Sequence, residues 1–498
     1  MRRVPTPAKT QRSTTRLPAL LALAIAGLTP GCERPREAVP PAAEGPPRNL
    51  LFVVSDTLRA DALACYGGSA RTPNLCALAG RGTLFLRAYA NAPWTLPSAA
   101  SLLSGNPASQ YVLPTRSGAE PFRYQIPAGE KLLAEALAER GYDRFRVVEN
   151  VLAAKSNDLQ GFDHRFPADR LAPAVDPRLA FDDAIARNRK LLAPLRYLLG
   201  PSRQPFFLLE WINDPHAYYS PPTKYLEPLV AESRNLPRPL DVYLRLGHAN
   251  DPEHGAHKLR DVLPDLSPAE RAFLHRLYLG EVESVDERVG YLLRALELSG
   301  RDADTFVVFT SDHGEGFGEH GSFLHGETLY DELLHVPLIV AGPGVLAGQQ
   351  VATPVSLVDV MPTLADLLGV DCLESPTGRS LAALLRGETP AELVDRDHYA
   401  VSPLRNEGTD ALIRGDLKLI STRRDRTLEL YDLAADPGER LNLAAERPEI
   451  AAEILRRLQQ IRLRNAERRE ETLRAVGEPS SAEEDEARRQ LRALGYVD

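Results

Sequence analysis

Two short apolar runs, far apart in the chain, each stop on groups able to ligate or titrate. Asn49-Leu-Leu-Phe-Val-Val-Ser55 is followed by Asp56, and Asp304-Thr-Phe-Val-Val-Phe-Thr-Ser311 by Asp312-His313. Neither run alternates apolar with polar, so each predicts a strand buried on both faces, the environment of a parallel sheet. Further strand candidates are Arg144-Phe-Arg-Val-Val148, Pro205-Phe-Phe-Leu-Leu209 and Val336-Pro-Leu-Ile-Val-Ala341, alternating with helical patterns over residues 131–140 and 268–299. That alternation predicts an α/β fold with a large, mostly parallel sheet flanked by helices over residues 49–390. Open sheets of this kind present ligands beyond the carboxyl ends of their strands, where Asp56, Asp312 and His313 fall.

Beyond Glu388 the pattern shortens. Ala411–Arg414, Leu417–Ile420 and Leu428–Tyr431, with Gly415-Asp416 as a tight turn, predict a small C-terminal antiparallel α+β subdomain over residues 391–445. Residues 446–498 read as an amphipathic helix to about Gly477 and then a charged tail. In the predicted helix 268–299, Val282, Val285, Val289, Leu292 and Leu296 form one core stripe, with Glu281, Glu283 and Glu287 read as solvated. Residues 220–266 read as an irregular polar loop able to overhang the crevice, with His254 and His257 in solvent.

A third segment carries chemistry. In Trp94-Thr95-Leu-Pro97-Ser98-Ala99, Pro97 fits the first turn of a helix, which puts the Thr95 hydroxyl at the positive end of its dipole. An alkoxide or bound oxyanion is stabilised there; the same pattern also describes an ordinary helix start with Thr95 as its cap and Ser98 and Ser101 on a polar side. Hard oxygen ligands with one imidazole suit a single divalent metal ion, Zn or Mn before Ca or Mg.

At this point the chain resembles the sulfatase branch of the alkaline phosphatase superfamily. The likeness rests on Val53-Val-Ser-Asp56-Thr-Leu-Arg-Ala-Asp61, Cys65-Tyr-Gly67, Thr72-Pro-Asn-Leu75, Thr95-Leu-Pro-Ser98, Asp214-Pro-His216 and Ser311-Asp-His-Gly-Glu315. It continues through Leu329-Tyr-Asp-Glu332, Val336-Pro337, Gly378-Arg-Ser380, Leu430-Tyr-Asp-Leu433 and Asp436-Pro-Gly-Glu439. The resemblance implies an alkaline phosphatase/sulfatase-like fold and a metal-dependent hydrolase or transferase of sulfate or phosphate esters. It implies Asp56, Asp312 and His313 as metal ligands, and Thr95 as nucleophile and further ligand. His216 would contact the ester or leaving oxygen, and His325 stands near the place of a family lysine; no lysine occurs between Lys258 and Lys418.

Sulfatases that use a formylglycine carry Cys or Ser at the position of Thr95 and Arg at that of Ala99, so this chain cannot follow that route. Thr57 replaces the second Asp of the usual pair, and Asp312-His313 replaces Asp-Asn. The set looks more like that of family members that move phosphoryl groups on a Thr, although those carry Glu at the position of Asp56. A different reading keeps the fold but not the chemistry: a surface lipoprotein that binds an anionic ligand without turnover.

The net charge is −9, and residues 1–31 hold five basic groups and no acid, so the rest sets 54 basic groups against 68 acidic, a net −14. That disfavours nucleic acid and anionic bilayers as partners. A basic start, the apolar run Leu17–Leu28 and Gly31-Cys32 read as a lipoprotein-type signal peptide over residues 1–32, before a Pro-rich tether at 33–48. The expectation is a bacterial cell-envelope protein touching membrane only through a lipid on Cys32, with plain secretion as the alternative. Cys65 and Cys76 are left as either a pair or free thiols. Gly316-Phe-Gly318-Glu-His-Gly321 mimics a dinucleotide fingerprint, but no amphipathic helix opens after it.

Overall fold

The computed structural model describes residues 48–113, 123–124, 126–127, 129–149, 160–163, 166, 168–172, 189–246, 265–373, 376–402 and 408–476. The readings made for the leader, Cys32, the tether, His254, His257 and the charged tail lie outside them. Among the described residues no helix is long and apolar enough to cross a membrane.

The principal sheet is built from β1 (Asn49–Ser55), β2 (Thr83–Tyr89), β3 (Asp143–Val148), β4 (Phe206–Ile212), β5 (Thr305–Ser311), β6 (His335–Ala341), β7 (Gln349–Val351) and β8 (Val355–Ser356). Their order is β7-β2-β6-β5-β1-β4-β3, with β8 also on β2. The two runs that open the sequence argument lie side by side at its centre, Ser55 level with Ser311. Both runs are buried throughout. Leu50, Phe52 and Val54 enter one core layer and Leu51 and Val53 the other, as an unalternating sequence requires. The mostly parallel sheet is mixed in one respect: β6 runs antiparallel to both β2 and β5. Its start is reached directly from the crevice end of β5, through the short helix Asp331–Leu334, so no crossover reverses the chain there.

Helix α1 (Pro73–Arg81), helix α2 (Thr95–Ser104) and helix α3 (Pro268–Ser299) flank the sheet. Ser267 and Glu270 form a capping box before α3, Pro268 sits in its first turn, and Gly300 ends it with φ +67°. The stripe Val282, Val285, Val289, Leu292, Leu296 is buried as predicted. Glu281 corrects the solvated reading, for it is buried and accepts from the Ser220 amide at 2.6 Å. The predicted loop at 220–266 is also corrected in part: helices Thr223–Ser233 and Leu240–Arg245 form there. Pro222 and Pro239, which punctuate the sequence as loop residues, sit just before those helices, and Tyr243 is driven fully into the core.

Helix α4 (Val360–Leu368) packs against α2. The second sheet, β9 (Asp397–Ser402), β10 (Thr409–Arg414), β11 (Leu417–Thr422) and β12 (Thr427–Asp432), is antiparallel throughout. Helix α5 (Pro448–Val476) covers it with Ile454, Leu458 and Ile461 against Leu412, Leu419 and Leu430. Cys65 and Cys76 are free thiols.

Candidate metal centre and active-site crevice

The ends of β1 and β5 are tied together by one hydroxyl. Ser311 Oγ donates to the Ser55 carbonyl at 2.6 Å and accepts from the Leu58 amide at 2.8 Å. Beyond this tie the backbone turns sharply, and Thr57 takes the left-handed region at φ +57°, costly for a β-branched residue. Two contacts hold it there: its amide donates to Asp312 Oδ1 at 3.2 Å, and its carbonyl accepts from Tyr278 on α3 at 3.0 Å. The strained turn aims Asp56 at Asp312.

Asp56, Asp312 and His313 are all fully buried, and each offers one ligand atom within 4.8 Å of the others. His313 Nε2 lies 3.6 Å from Asp56 Oδ1 and 3.5 Å from Asp312 Oδ2. Nδ1 of the same ring is 2.9 Å from the Gly314 carbonyl, which fixes the ring with Nε2 turned inward. Gly314 is obligatory here, because a Cβ would stand 2.0 Å from the Glu332 carbonyl. Asp312 Oδ2 is a buried acceptor without a hydrogen-bond partner. Two carboxylates and an imidazole around one point, with an orphaned oxygen among them, fit a divalent cation.

Thr95 is the first residue of α2, with Trp94 rather than Thr95 in the cap position and no side-chain cap formed. Thr95 Oγ1 stands 3.4 Å from both Asp56 carboxylate oxygens and 3.4 Å from His313 Nε2. The polar side expected for α2 is absent, since all of Thr95–Ser104 is buried. Ser98 Oγ instead donates to the Asp312 carbonyl at 2.5 Å, and Ser101 Oγ to Pro97 at 2.9 Å. Ser98 thereby docks the helix start directly on the ligand loop.

The two remaining predicted residues complete the crevice. The His325 ring lies 4.7 Å from that of His313 and 4.9 Å from that of His216, centre to centre. His325 Nδ1 is 2.8 Å from Glu315 Oε1, and His216 Nδ1 is 2.6 Å from the Ala217 carbonyl. The structure thus brings Asp56, Thr95, His216, Asp312, His313 and His325 to one place. Glu315, Tyr278 and Ser98 were given no role by the sequence. Glu315 stands two residues past His313, a spacing that could have marked it. Tyr278 is indistinguishable from a core residue of its helix.

Electrostatics follow burial. It pushes Asp312 and Glu315 each up to about 7, and pushes His313 down to about 3 with help from the charge of His325. Burial also pulls on His216, but the carboxylates of Asp56, Glu315 and Asp312 outweigh it and raise its pKa. A neutral His313 offers a ligand lone pair, while His216 is disposed to carry a proton.

Fold and crevice define an α/β protein with a buried acid–imidazole cluster, able to hold a cation, at the carboxyl ends of its central strands. The chain belongs to the sulfatase family, whose model matches residues 48–370. The model of N-sulphoglucosamine sulphohydrolase, C-terminal, matches residues 318–465. A delta 4,5-hexuronate-2-O-sulfatase of Bacteroides thetaiotaomicron is 29% identical over 433 residues, 80% of this chain and 85% of that protein. A choline-sulfatase of Rhizobium meliloti is 28% identical over 457 residues, 80% of this chain and 82% of its own. The crystal structure of phosphonate monoester hydrolase of Agrobacterium radiobacter shares the fold, with TM-score 0.62 and 22% identity over 84% of this chain and 96% of that one.

Proposed function

We propose that this chain is a metal-dependent hydrolase or transferase of sulfate or phosphate esters that uses Thr95 itself as nucleophile. The observation that carries the reading is the Thr95 hydroxyl, placed at a helix start 3.4 Å from Asp56 and from His313. Family membership supports ester hydrolysis, and the hexuronate sulfatase relative supports a sulfated substrate. Thr at this position favours phosphate over sulfate esters, because a sulfo-threonine has no hemiacetal route of release.

Asp56, Asp312, His313 and Thr95 would hold one divalent ion, Zn or Mn before Ca or Mg, which supplies Lewis acidity toward a substrate oxygen. The Thr95 hydroxyl gives its proton to the Asp56 carboxylate, 3.4 Å away, and its Oγ–phosphorus (or –sulfur) bond forms as the bond to the leaving oxygen breaks. His216 gives that oxygen a proton, and His325, held by Glu315, faces the transferred group. Water or an acceptor hydroxyl then cleaves the Thr95 ester and regenerates the hydroxyl. The positive end of the α2 dipole faces the charge that develops.

The test is a panel of p-nitrophenyl phosphate, bis-p-nitrophenyl phosphate, a phenylphosphonate ester and p-nitrophenyl sulfate, with elemental analysis of the purified protein. Turnover lost to a chelator and restored by Zn or Mn is the expected result. A metal-free protein inert to the whole panel would overturn the enzyme reading and leave only anion binding. We also propose a bacterial envelope location through lipidated Cys32; Cys32→Ser should move the protein from the membrane to the soluble fraction.

A further inference from the structure

Away from the crevice, a cavity of about 570 Å³ opens where the main α/β layers meet the C-terminal sheet and α5, within the roughly 300–1,000 Å³ of small-molecule sites. Its wall includes Pro107 and Gln110, just past the far end of α2, and none of the six crevice residues. Six arginines and two aspartates line it, in a chain whose net charge is −9. Gathering guanidinium groups against the sign of the whole molecule builds a local positive potential.

The two aspartates are already engaged. Arg414 binds Asp395 at 2.6 Å and Asp397 at 3.0 Å. Arg396 uses Nη2 on Asp359 at 2.6 Å, yet its Nη1 is a buried donor with no partner. Arg457 pairs with Asp397 at 3.9 Å and Glu453 at 3.5 Å but leaves a buried Nε without a partner. His398, 3% exposed, adds Nδ1 without a partner on the same wall. Arg379 and Arg464 stand exposed at the rim, with no carboxylate partner among the described residues. Converging donors of this kind, planar forks above all, match the oxygens of a tetrahedral anion.

We propose that this cavity binds a sulfate- or phosphate-type oxyanion, free or esterified to a sugar, independently of the catalytic crevice. Arg396, Arg457 and His398 would hold it from within, and Arg379 and Arg464 from the rim.

The experiment is calorimetric titration of the full chain with sodium sulfate and sodium phosphate at constant ionic strength, in an Asp312→Ala background that removes anion binding at the metal centre. One saturable site is expected, weakened at least tenfold by R379E/R464E, whose positions are exposed, with the thermal transition unchanged. Wild-type protein gives a second measure that does not depend on the Asp312 variant: R379E/R464E should remove one anion per chain from its stoichiometry. Glucose 6-sulfate and glucose 6-phosphate distinguish the sources; tighter binding than the inorganic ions indicates a sugar ester, equal or weaker binding a free ion. No saturable binding in the Asp312→Ala protein, or an affinity and stoichiometry untouched by R379E/R464E, would overturn the proposal.

Discussion

Glu149, just past the end of β3, and Glu210, on β4, share Arg288 of α3 at 3.0 Å and 3.1 Å, whereas Asp56 and Asp312, past the ends of β1 and β5, face the imidazole of His313 at 3.6 Å and 3.5 Å. In the first cluster the chain supplies its own counter-charge. Burial pushes Glu210 up to about 8, while Arg288 outweighs the burial of Glu149 and holds its pKa below the ordinary range. Two acids, one guanidinium and one proton balance. The second cluster keeps an oxygen of Asp312 unbonded in the interior. Buried acids are thus held in two ways, one neutralised internally and the other with an acceptor oxygen left over, which is the arrangement an external cation would complete.

Removing one acid from the open cluster should have the largest effect. Asp312→Ala is expected to abolish stoichiometric metal and lower kcat/KM by at least about 10³-fold, roughly 4 kcal/mol of transition-state stabilisation, while the protein stays folded. Arg288→Met attacks the closed cluster and should do the opposite, costing about 3 kcal/mol in denaturant unfolding with metal content retained. If that variant lost its metal instead, the two clusters would not be independent. Thr95→Ala should reduce turnover by at least about 10²-fold with the metal retained, which separates nucleophile from ligand. Glu315→Ala is expected to lower kcat by about 10–100-fold and shift its pH profile, with Glu315→Gln recovering part of the loss because an acceptor for His325 returns.

The remaining effect is a slope, small at any one pH step. Folded Glu210 keeps a proton up to pH about 8 that the unfolded chain releases near 4.5. This contribution to stability is fully present below pH 4.5 and is lost as pH rises toward 8, at about 1.4 kcal/mol per pH unit within that window. Glu210→Gln should flatten the slope, read from unfolding midpoints across pH.

The central strands were legible because Leu50–Val54 and Phe306–Phe309 are apolar without alternation, and the convergence of Asp56, Asp312 and His313 because they stand at the ends of those strands. The second sheet was legible from Gly415-Asp416 between two apolar runs. What escaped detection depends on tertiary context. The antiparallel direction of β6 follows from residues 312–334 leaving and re-entering the sheet at the same crevice end, and no local pattern encodes it. The burial of Glu281 depends on Ser220, far away in sequence. The helices at 223–233 and 240–245 were hidden by their own proline starts.

The reversal of β6 has a consequence for how the specificity of such a protein can change. Because the chain leaves β5 and re-enters the sheet on the adjoining strand, residues 312–334 form one uninterrupted excursion that carries Asp312, His313, Glu315 and His325 together. Both ends of this excursion are anchored in neighbouring ladders, so the segment can be exchanged as a single cassette between homologues without re-threading the sheet. New substrates would then be reached by swapping one paragraph of the sequence, with two members of the buried cluster and the histidine that faces it rewritten together.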